Sequence, residues 1–321
     1  MITGGAGFIG SHLAEALVQR GLHVTALDDE STGSARNLAG LAGNSRFEFV
    51  RGTAADEELI GRLAAQADEV YHLAAAVGVQ LIAKDPIRTI ETNVYPTELL
   101  LQTLHKRHQA GHQVKLFLAS TSEVYGKNPK PTWTEEDDLV YGPTTRPRWA
   151  YGASKAIDEF LALGYARQHG LPVVIGRFFN VVGPRQTGAY GMVVPRFVEA
   201  ALAGQPLIVH DDGRQVRCFA HVADVVRAVL ALMDTQAAQG LIFNIGSDQP
   251  VSILQLAERV AATVEPRPKI AFQSYAEAYS PDFEDIRSRV PDLTRLRTTI
   301  DYQPAYNLER IIAELVALRR G

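Results

Sequence analysis

Three glycines at a fixed spacing near the beginning of the chain constrain its fold most strongly. Gly4, Gly7 and Gly10 give the spacing G-x-x-G-x-x-G in the segment TGGAGFIGSH. Such glycines allow a tight turn off a strand, close approach of the backbone to a pyrophosphate, and tight packing of the following helix. A tight turn alone would also explain them. The next strand, however, ends in Asp28, 18 residues after Gly10, where a carboxylate can bind the adenosine ribose and repel a 2′-phosphate. The pattern therefore predicts NAD rather than NADP as cofactor, with Asp29 as the lesser candidate.

Short apolar runs alternate with helical patterns through the first half of the chain. The runs are almost continuously apolar, as expected of strands that are buried on both faces. Such alternation predicts an α/β fold, a Rossmann-type doubly wound parallel sheet with right-handed crossovers. The predicted strands are His23–Asp28, Glu69–Leu73, Val114–Ser120 and Val173–Phe178, and the helices are Ser11–Arg20, Asp56–Ala67, Glu91–His108 and Ala153–His169.

After about Asn180, glycine, proline and charged residues interrupt the alternation of strands and helices more often. This change predicts a smaller, interleaved C-terminal substrate domain. We expect residues 1–177 to form the dinucleotide-binding domain, completed by about 218–247, and residues 178–217 and 248–321 to form the second domain. Only Met1 and Ile2 precede the glycine motif, so either the chain begins further upstream or the first strand is a stub. The later predicted elements are helices Val193–Ala203, Val222–Asp234, Ile253–Val264 and Leu308–Arg319, and strand Leu241–Ile245.

Composition excludes several classes of protein. Lys+Arg 32 against Asp+Glu 36 gives a net charge of −4 without a basic stripe, which argues against a nucleic-acid partner. The single cysteine, Cys218, can form neither an internal disulfide nor a cysteine-based zinc site, and we expect no metal. No apolar run approaches the roughly 18 residues of a membrane span. We therefore expect a cytoplasmic protein with no membrane partner.

A tyrosine and a lysine form a candidate proton relay. Tyr151 and Lys155, in YGASK, are four residues apart and share one face of a helix. An ammonium group close to a phenol stabilises the phenolate and makes the tyrosine a usable base. A surface pair is the alternative, but this helix follows a strand that ends near Thr121, Ser122 and Glu123. Ligands of open α/β sheets bind at such strand ends, which favours catalysis.

Motifs along nearly the whole chain are similar to those of one enzyme family. They are TGGAGFIG, YHLAA, TN at Thr92–Asn93, TSEVYG, YGASK, RFFNVVGPR, RCFAHVADV and a C-terminal RVPD. The chain resembles the extended short-chain dehydrogenases/reductases, which include nucleotide-sugar epimerases, dehydratases and decarboxylases. The resemblance implies NAD, a nucleoside-diphosphate sugar and a transient 4-keto sugar made by hydride transfer. It also implies further NAD contacts, with Thr53 where relatives often carry an Asp: Phe8, Ile9, Thr32, Gly33, Thr53, Ala54, Leu73, Ala74, Ala75 and Asn93, beside Tyr151 and Lys155.

Three segments resemble the decarboxylases within this family. TSEVYG carries the Thr-Ser-Glu of UDP-glucuronate decarboxylases, which GDP-mannose dehydratases share. LVYGPTTRPRWAYGASK and FEDIRSRVPD resemble the decarboxylase domain of the bifunctional polymyxin-resistance enzyme. The resemblance implies that Glu123 and Arg289 orient the sugar carboxylate, and that Thr121 or Ser122 binds near O4. Glu123 as a loop cap and Arg289 as a diphosphate ligand are the alternatives. The matching substrate positions are Asn180, Arg185 and Arg217 for the diphosphate, Phe283 near the sugar, and Arg289.

These features predict an NAD-dependent enzyme that decarboxylates UDP-glucuronate to a UDP-pentose. A 4-epimerase of UDP-glucose or UDP-glucuronate is the alternative, and the segment GPRQTGAYGMVVPRF departs from the decarboxylases. A non-catalytic NAD-binding sensor would be expected to lose the tyrosine and lysine that this chain keeps. The family also implies a homodimer, in which the helices Glu91–His108 and Ala153–His169 pair with their copies as a four-helix bundle.

Overall fold

A computed structural model describes residues 1–76, 85–188, 192–278 and 284–320 of the chain. Its strands are β1 (Ile2–Thr3), β2 (Val24–Asp28), β3 (Phe47–Arg51), β4 (Glu69–His72), β5 (Lys115–Thr121), β6 (Val173–Phe178), β7 (Val181–Val182), β8 (Leu207–His210), β9 (Val216–Cys218), β10 (Ala220–His221), β11 (Leu241–Ile245), β12 (Pro250–Ser252), β13 (Ile270–Gln273) and β14 (Ser288–Arg289). Its α-helices are α1 (Phe8–Gln19), α2 (Glu57–Ala64), α3 (Pro86–Gln109), α4 (Ala150–His169), α5 (Val193–Leu202), α6 (Val222–Asp234), α7 (Ile253–Ala261), α8 (Tyr275–Ala278), α9 (Thr294–Ile300) and α10 (Leu308–Arg320).

Seven parallel strands form the central sheet in the order β11-β6-β5-β4-β1-β2-β3. β1 is only two residues long, yet Ile2 pairs with Ala26 on one side and with Tyr71 on the other. β3 was not predicted from the sequence, because Phe47–Arg51 alternates apolar with charged residues and is only partly buried at the sheet edge. The doubly wound parallel sheet expected from the sequence is confirmed.

Helices cover both faces of this sheet because neighbouring strand residues point to opposite sides. On one face Phe117 of β5 joins a buried cluster with apolar residues of α1 and α6. On the other face Leu116 and Leu118 of the same strand pack with α2, α3 and α4. The result is a three-layer core in which the carboxyl ends of the central strands stay accessible.

A separate apolar core lies in the C-terminal part of the chain. It is built from α5, α7, α10 and β8. The segment Val222–Ile245, in contrast, supplies α6 and β11 to the central sheet and its helical layer. Leu293, Leu296 and Tyr302, which the prediction assigns to the second domain, pack with the first of these cores, beside the central sheet. The division into domains and its boundaries stay a prediction.

Helix ends differ most from the sequence-based prediction at α3. The helix begins at Pro86 rather than Glu91, because the Asp85 side chain accepts a hydrogen bond from the Arg88 N–H at 2.9 Å and Pro86 fits the first turn. None of the helices in the described ranges combines the length and apolarity that crossing a bilayer requires. The cytoplasmic location stays a prediction.

Candidate active site

A cleft of about 790 Å³ opens at the carboxyl ends of the central strands. Its wall includes Gly4 after β1, Asp28 at the end of β2 and Thr121 at the end of β5. Arg217 and Arg289, from the small sheet of β12, β9 and β14, face the same space. This is the position at which open α/β sheets bind ligands.

The glycine loop at one end of the cleft is shaped for close backbone approach. Gly4 has a φ of +70°, and a Cβ there would lie 2.8 Å from the Ala74 nitrogen. A Cβ on Gly10 would lie 2.1 Å from the Gly4 oxygen. Gly7 is the N-cap of α1 and has no side chain to satisfy the first N–H groups of the helix. These donors and the positive end of the helix dipole fit a pyrophosphate.

Asp28 presents a fixed carboxylate at the end of β2. Its Oδ2 accepts a hydrogen bond from the Ala6 N–H at 2.9 Å, and its Oδ1 accepts one from the Glu30 N–H at 2.7 Å. Burial raises the pKa of this carboxyl group, and the two backbone donors oppose that effect. The remaining lone pairs fit the hydroxyls of a ribose. Asp29 also lines the cleft, but its Oδ1 accepts a bond from the Ser31 N–H within its own turn.

Most of the other predicted NAD contacts line the same cleft, and two do not. A Cβ on Gly33 would lie 2.9 Å from Ala6, so this glycine packs behind the loop. Asn93 is buried, accepts a hydrogen bond from the Ala76 N–H at 2.8 Å and donates one to Ser154 at 3.0 Å. It holds the wall in place without reaching the cleft. The residues that line the cleft are Gly4, Gly7, Phe8, Ile9, Gly10, Asp28, Asp29, Thr32, Thr53, Ala54, Leu73, Ala74, Ala75, Tyr151 and Lys155.

Tyr151 and Lys155 both lie in the first two turns of α4 and line the cleft. The pKa of Tyr151 is raised, in contrast to our expectation, because burial and the negative charge of Glu123 outweigh the opposing hydrogen bond with Thr121. The Lys155 ammonium group donates to Asp158 at 2.6 Å, so its charge is balanced there. Sequence analysis missed Asp158, since its burial beside Lys155 is not visible from spacing alone.

Glu123 lies between two arginines. Arg148 donates a hydrogen bond to its Oε2, and Nη1 of Arg289 lies 2.9 Å from its Oε1. Burial opposes ionisation of this carboxyl group, but Arg148 and Arg289 lower its pKa to about 2. Glu123 is therefore a carboxylate at neutral pH. Arg148 was missed as a site residue, although it stands in the segment Pro147–Trp149 just before α4.

Arg217 and Asn180 lie further along the cleft. Nη2 of Arg217 donates to both carboxylate oxygens of Asp285, at 3.0 and 3.1 Å, and Tyr275 donates its hydroxyl proton to the same carboxylate at 2.6 Å. Burial lowers the pKa of Arg217 to about 10, still well above neutrality. Asn180 donates to the Cys218 carbonyl at 3.0 Å. Both side chains line the cleft, as the resemblance implied.

One predicted substrate residue, Arg185, is not brought to this cleft. Arg185 binds Glu15 of α1 at 2.5 Å and is not part of the cleft wall, because the chain turns away through a left-handed conformation with φ +69°. The prediction that it touches the diphosphate is therefore not supported. Phe283 lies outside the described residues.

The fold and the cleft together define a dinucleotide-dependent α/β enzyme. The model of the NAD dependent epimerase/dehydratase family matches residues 1–246, and the chain belongs to that family. Both the family expected from the motifs and NAD as cofactor are confirmed.

The chain is also similar to named members of this family. It is 42% identical to a UDP-N-acetyl-alpha-D-glucosaminuronate decarboxylase of Bacillus cytotoxicus, over 98% of this chain and 96% of that protein. It is 34% identical to UDP-glucuronic acid decarboxylase 1 of Xenopus tropicalis, over 96% of this chain and 69% of that protein. The structure of UDP-glucuronic acid 4-epimerase from Bacillus cereus, in complex with UDP-glucuronic acid and NAD, has a TM-score of 0.83 and 28% identity. The aligned part covers 99% of this chain and 98% of the epimerase chain.

Proposed function

We propose that this enzyme decarboxylates a UDP-hexuronate, with UDP-glucuronate as the first substrate to test. The observation that carries the proposal is the position of Glu123 between Arg148 and Arg289, close enough to Tyr151 to raise its pKa. Two similar proteins are named as decarboxylases of UDP-hexuronates that differ in the sugar substituent. The N-acetylated hexuronate is therefore the second substrate to test.

The charge of this cluster suits a sugar that carries a carboxylate. Arg148 and Arg289 bring two positive charges against the single negative charge of Glu123, and all three side chains are at most 12% exposed. The neighbouring Arg217 is balanced by Asp285. Because a buried charge is costly unless it is paired, one further anion at the cluster is favoured. A carboxylate at C6 of the sugar would supply that charge, whereas with a neutral hexose only the diphosphate could supply it.

The residues around Tyr151 support removal of the proton from O4 of the sugar. When bound, NAD would accept a hydride from C4 and later return it, so that C4 is a ketone in the interval. Burial and Glu123 raise the pKa of Tyr151 in this structure, so its phenolate needs the positive charges of Lys155 and of bound NAD to form. As phenolate, Tyr151 would accept the O4 proton. Thr121 forms a hydrogen bond with Tyr151 and is placed to fix the position of the phenol.

The cluster then supports loss of carbon dioxide. The C6 carboxylate lies β to the C4 ketone, so when the C5–C6 bond breaks its electron pair is held as a C4–C5 enolate. Arg289 orients the departing carboxylate, while the ionised Glu123 places a like charge beside it that is relieved when neutral carbon dioxide leaves. Tyr151, which now carries the proton from O4, can donate a hydrogen bond to the enolate oxygen. A proton from water, added at C5, restores the ketone. Tyr151 then gives its proton back to O4 when the hydride returns to C4.

A product assay tests the proposal. Purified protein and NAD are incubated with UDP-glucuronate, UDP-N-acetylglucosaminuronate and UDP-glucose in turn, and product masses and sugar configuration are read by mass spectrometry and NMR. We expect a product from at least one hexuronate that has lost the mass of carbon dioxide. An isomer of unchanged mass would instead establish a 4-epimerase, and NAD binding without any product would favour the sensor.

We propose further that the enzyme is a homodimer formed through α3 and α4. These helices pack against each other and expose large apolar side chains, with Ile87 69% and Phe160 72% exposed. Tyr95 on α3 and Ile157 on α4 are further exposed apolar side chains of these two helices. An exposed apolar surface of this kind is typical of a protein interface, and the family resemblance favours a four-helix bundle there.

Replacing Phe160 by Glu is expected to convert the dimer to a monomer, because it puts a charge on the exposed apolar surface of α4. Size-exclusion chromatography with light scattering measures the mass in solution. Phe272→Glu is the matched control, since Phe272 is also well exposed but lies on β13, away from α3 and α4. A wild-type protein that is already monomeric, or a dimer that survives the Phe160 change, would contradict this proposal.

A further inference from the structure

We propose that Asp158 is a positioning residue of the active site, which keeps the Lys155 side chain charged and fixed at the cleft wall. The inference deepens the proposed function and rests on it, since that function gives Lys155 its task beside Tyr151. Asp158 itself is not among the residues that line the cleft. It would act on the reaction only through Lys155.

The pair is close and fully buried. Nζ of Lys155 lies 2.6 Å from Oδ2 of Asp158, three residues further along α4. The two side chains are 2% and 0% exposed. An ammonium group removed from water in this way stays charged only if an anion compensates the lost hydration. The contact places that anion one helical turn beyond Lys155.

The other acidic groups around Lys155 are engaged elsewhere. On α4, Glu159 binds the Arg177 guanidinium at 2.7 and 2.9 Å and accepts a bond from Ser120 at 2.5 Å. After β5, Glu123 is held by its two arginines. Within the described ranges, Asp158 is therefore the carboxylate that contacts Lys155.

The groups that face the pair from β4 and α3 are neutral. Burial and the charge of Lys155 lower the pKa of His72 to about 3. Thr97 donates its hydroxyl proton to the Asn93 carbonyl at 2.9 Å and lies 3.2 Å from Nε2 of His72. Nδ1 of His72 lies 2.7 Å from the Thr3 hydroxyl. Burial raises the pKa of Asp158, and the charge of Lys155 and hydrogen bonds with Lys155 and Thr97 oppose that effect. Neither Thr97 nor His72 supplies a charge that could replace Asp158 or Lys155.

Loss of the Asp158 charge should therefore act on both members of the proton relay. A negative charge favours the protonated forms of Lys155 and of Tyr151, and it raises the pKa of the Tyr151 phenol in this structure. Asp158→Asn keeps the size of the side chain and removes the charge. Lys155 and Tyr151 should then both release their protons at lower pH than in the wild type.

The first test measures Lys155 directly and needs neither substrate nor cofactor. The chain has seven lysines, so the ¹³Cε–¹Hε signals of labelled lysine can be followed by NMR through a pH titration and assigned with Lys155→Met. We expect the Lys155 titration in Asp158→Asn to move down by at least about one pH unit. Asp224→Asn, a change at another carboxylate of 0% exposure, on α6, should leave it in place. An unchanged Lys155 titration in the Asp158 variant would overturn the proposal, whatever reaction the enzyme performs.

The second test is the pH profile of kcat/KM with the substrate that the product assay identifies. Both limbs of the profile should move to lower pH in Asp158→Asn and stay in place in Asp224→Asn. A role of Asp158 in stability alone would lower the rate without moving the limbs, and that result would also overturn the proposal. If Asp158→Asn does not fold, Asp158→Ser removes the same charge and is expected to shift the Lys155 titration in the same direction.

Discussion

Tyr151→Phe is expected to lower kcat about 10³-fold, within the range that a positioned acid or base contributes. Phe keeps the ring in its buried place at the beginning of α4 but removes the oxygen that accepts the O4 proton. The glycine loop and Asp28, which fit the pyrophosphate and the ribose, are untouched. Turnover is measured from product formation, and NAD affinity by isothermal titration calorimetry, which should change little.

A control on the same helix separates chemistry from packing. Tyr165 lies on α4 and contacts His105 and His169 rather than the cleft. Tyr165→Phe should therefore keep kcat within a few-fold of the wild type. A Tyr151→Phe enzyme that retained most of the wild-type rate would show that another group removes the O4 proton.

The site residues that lie at strand ends or within one short segment could be predicted from the sequence. The glycine spacing, the acid at the end of β2 and the pair on α4 depend on short segments whose geometry is fixed by a turn or a helix. Each of them lies in the cleft. The sheet was predictable for the same reason, except for β3, whose mixed polarity at the edge hides it.

Contacts between distant segments could not be predicted in this way. Arg148 and Glu123 are 25 residues apart, and their pairing depends on how the segment before α4 folds over the end of β5. Arg185 looked suitable for a phosphate, but Glu15, 170 residues away in sequence, binds it. The pairing of Lys155 with Asp158 is local, yet its strength comes from burial, which the whole fold determines.

Glu123→Gln is expected to slow carbon dioxide release at least about 10²-fold, in line with the loss of one well-placed electrostatic group. The pKa of Glu123 is about 2, so the change removes a charge that is present throughout the neutral range. The defect should therefore not vary with pH there. Oxidation at C4 should persist, because Tyr151 and Lys155 are intact and Glu123 raises the pKa of Tyr151 in the wild type. Rapid quench with mass spectrometry measures carbon dioxide loss, and the absorbance of reduced nicotinamide reports oxidation at C4.

The comparison of these two rates separates a role in decarboxylation from a role in folding or binding. Glu284→Gln is the control, since Glu284 pairs with Lys127 near the surface and should change neither rate. If Glu123 were only a loop cap, its replacement would lower both rates together or leave both unchanged. A variant that oxidises C4 but retains carbon dioxide requires that the carboxylate held between Arg148 and Arg289 acts on the C5–C6 bond. That result would also explain why an enzyme with the tyrosine and lysine of an epimerase needs two buried arginines around one glutamate.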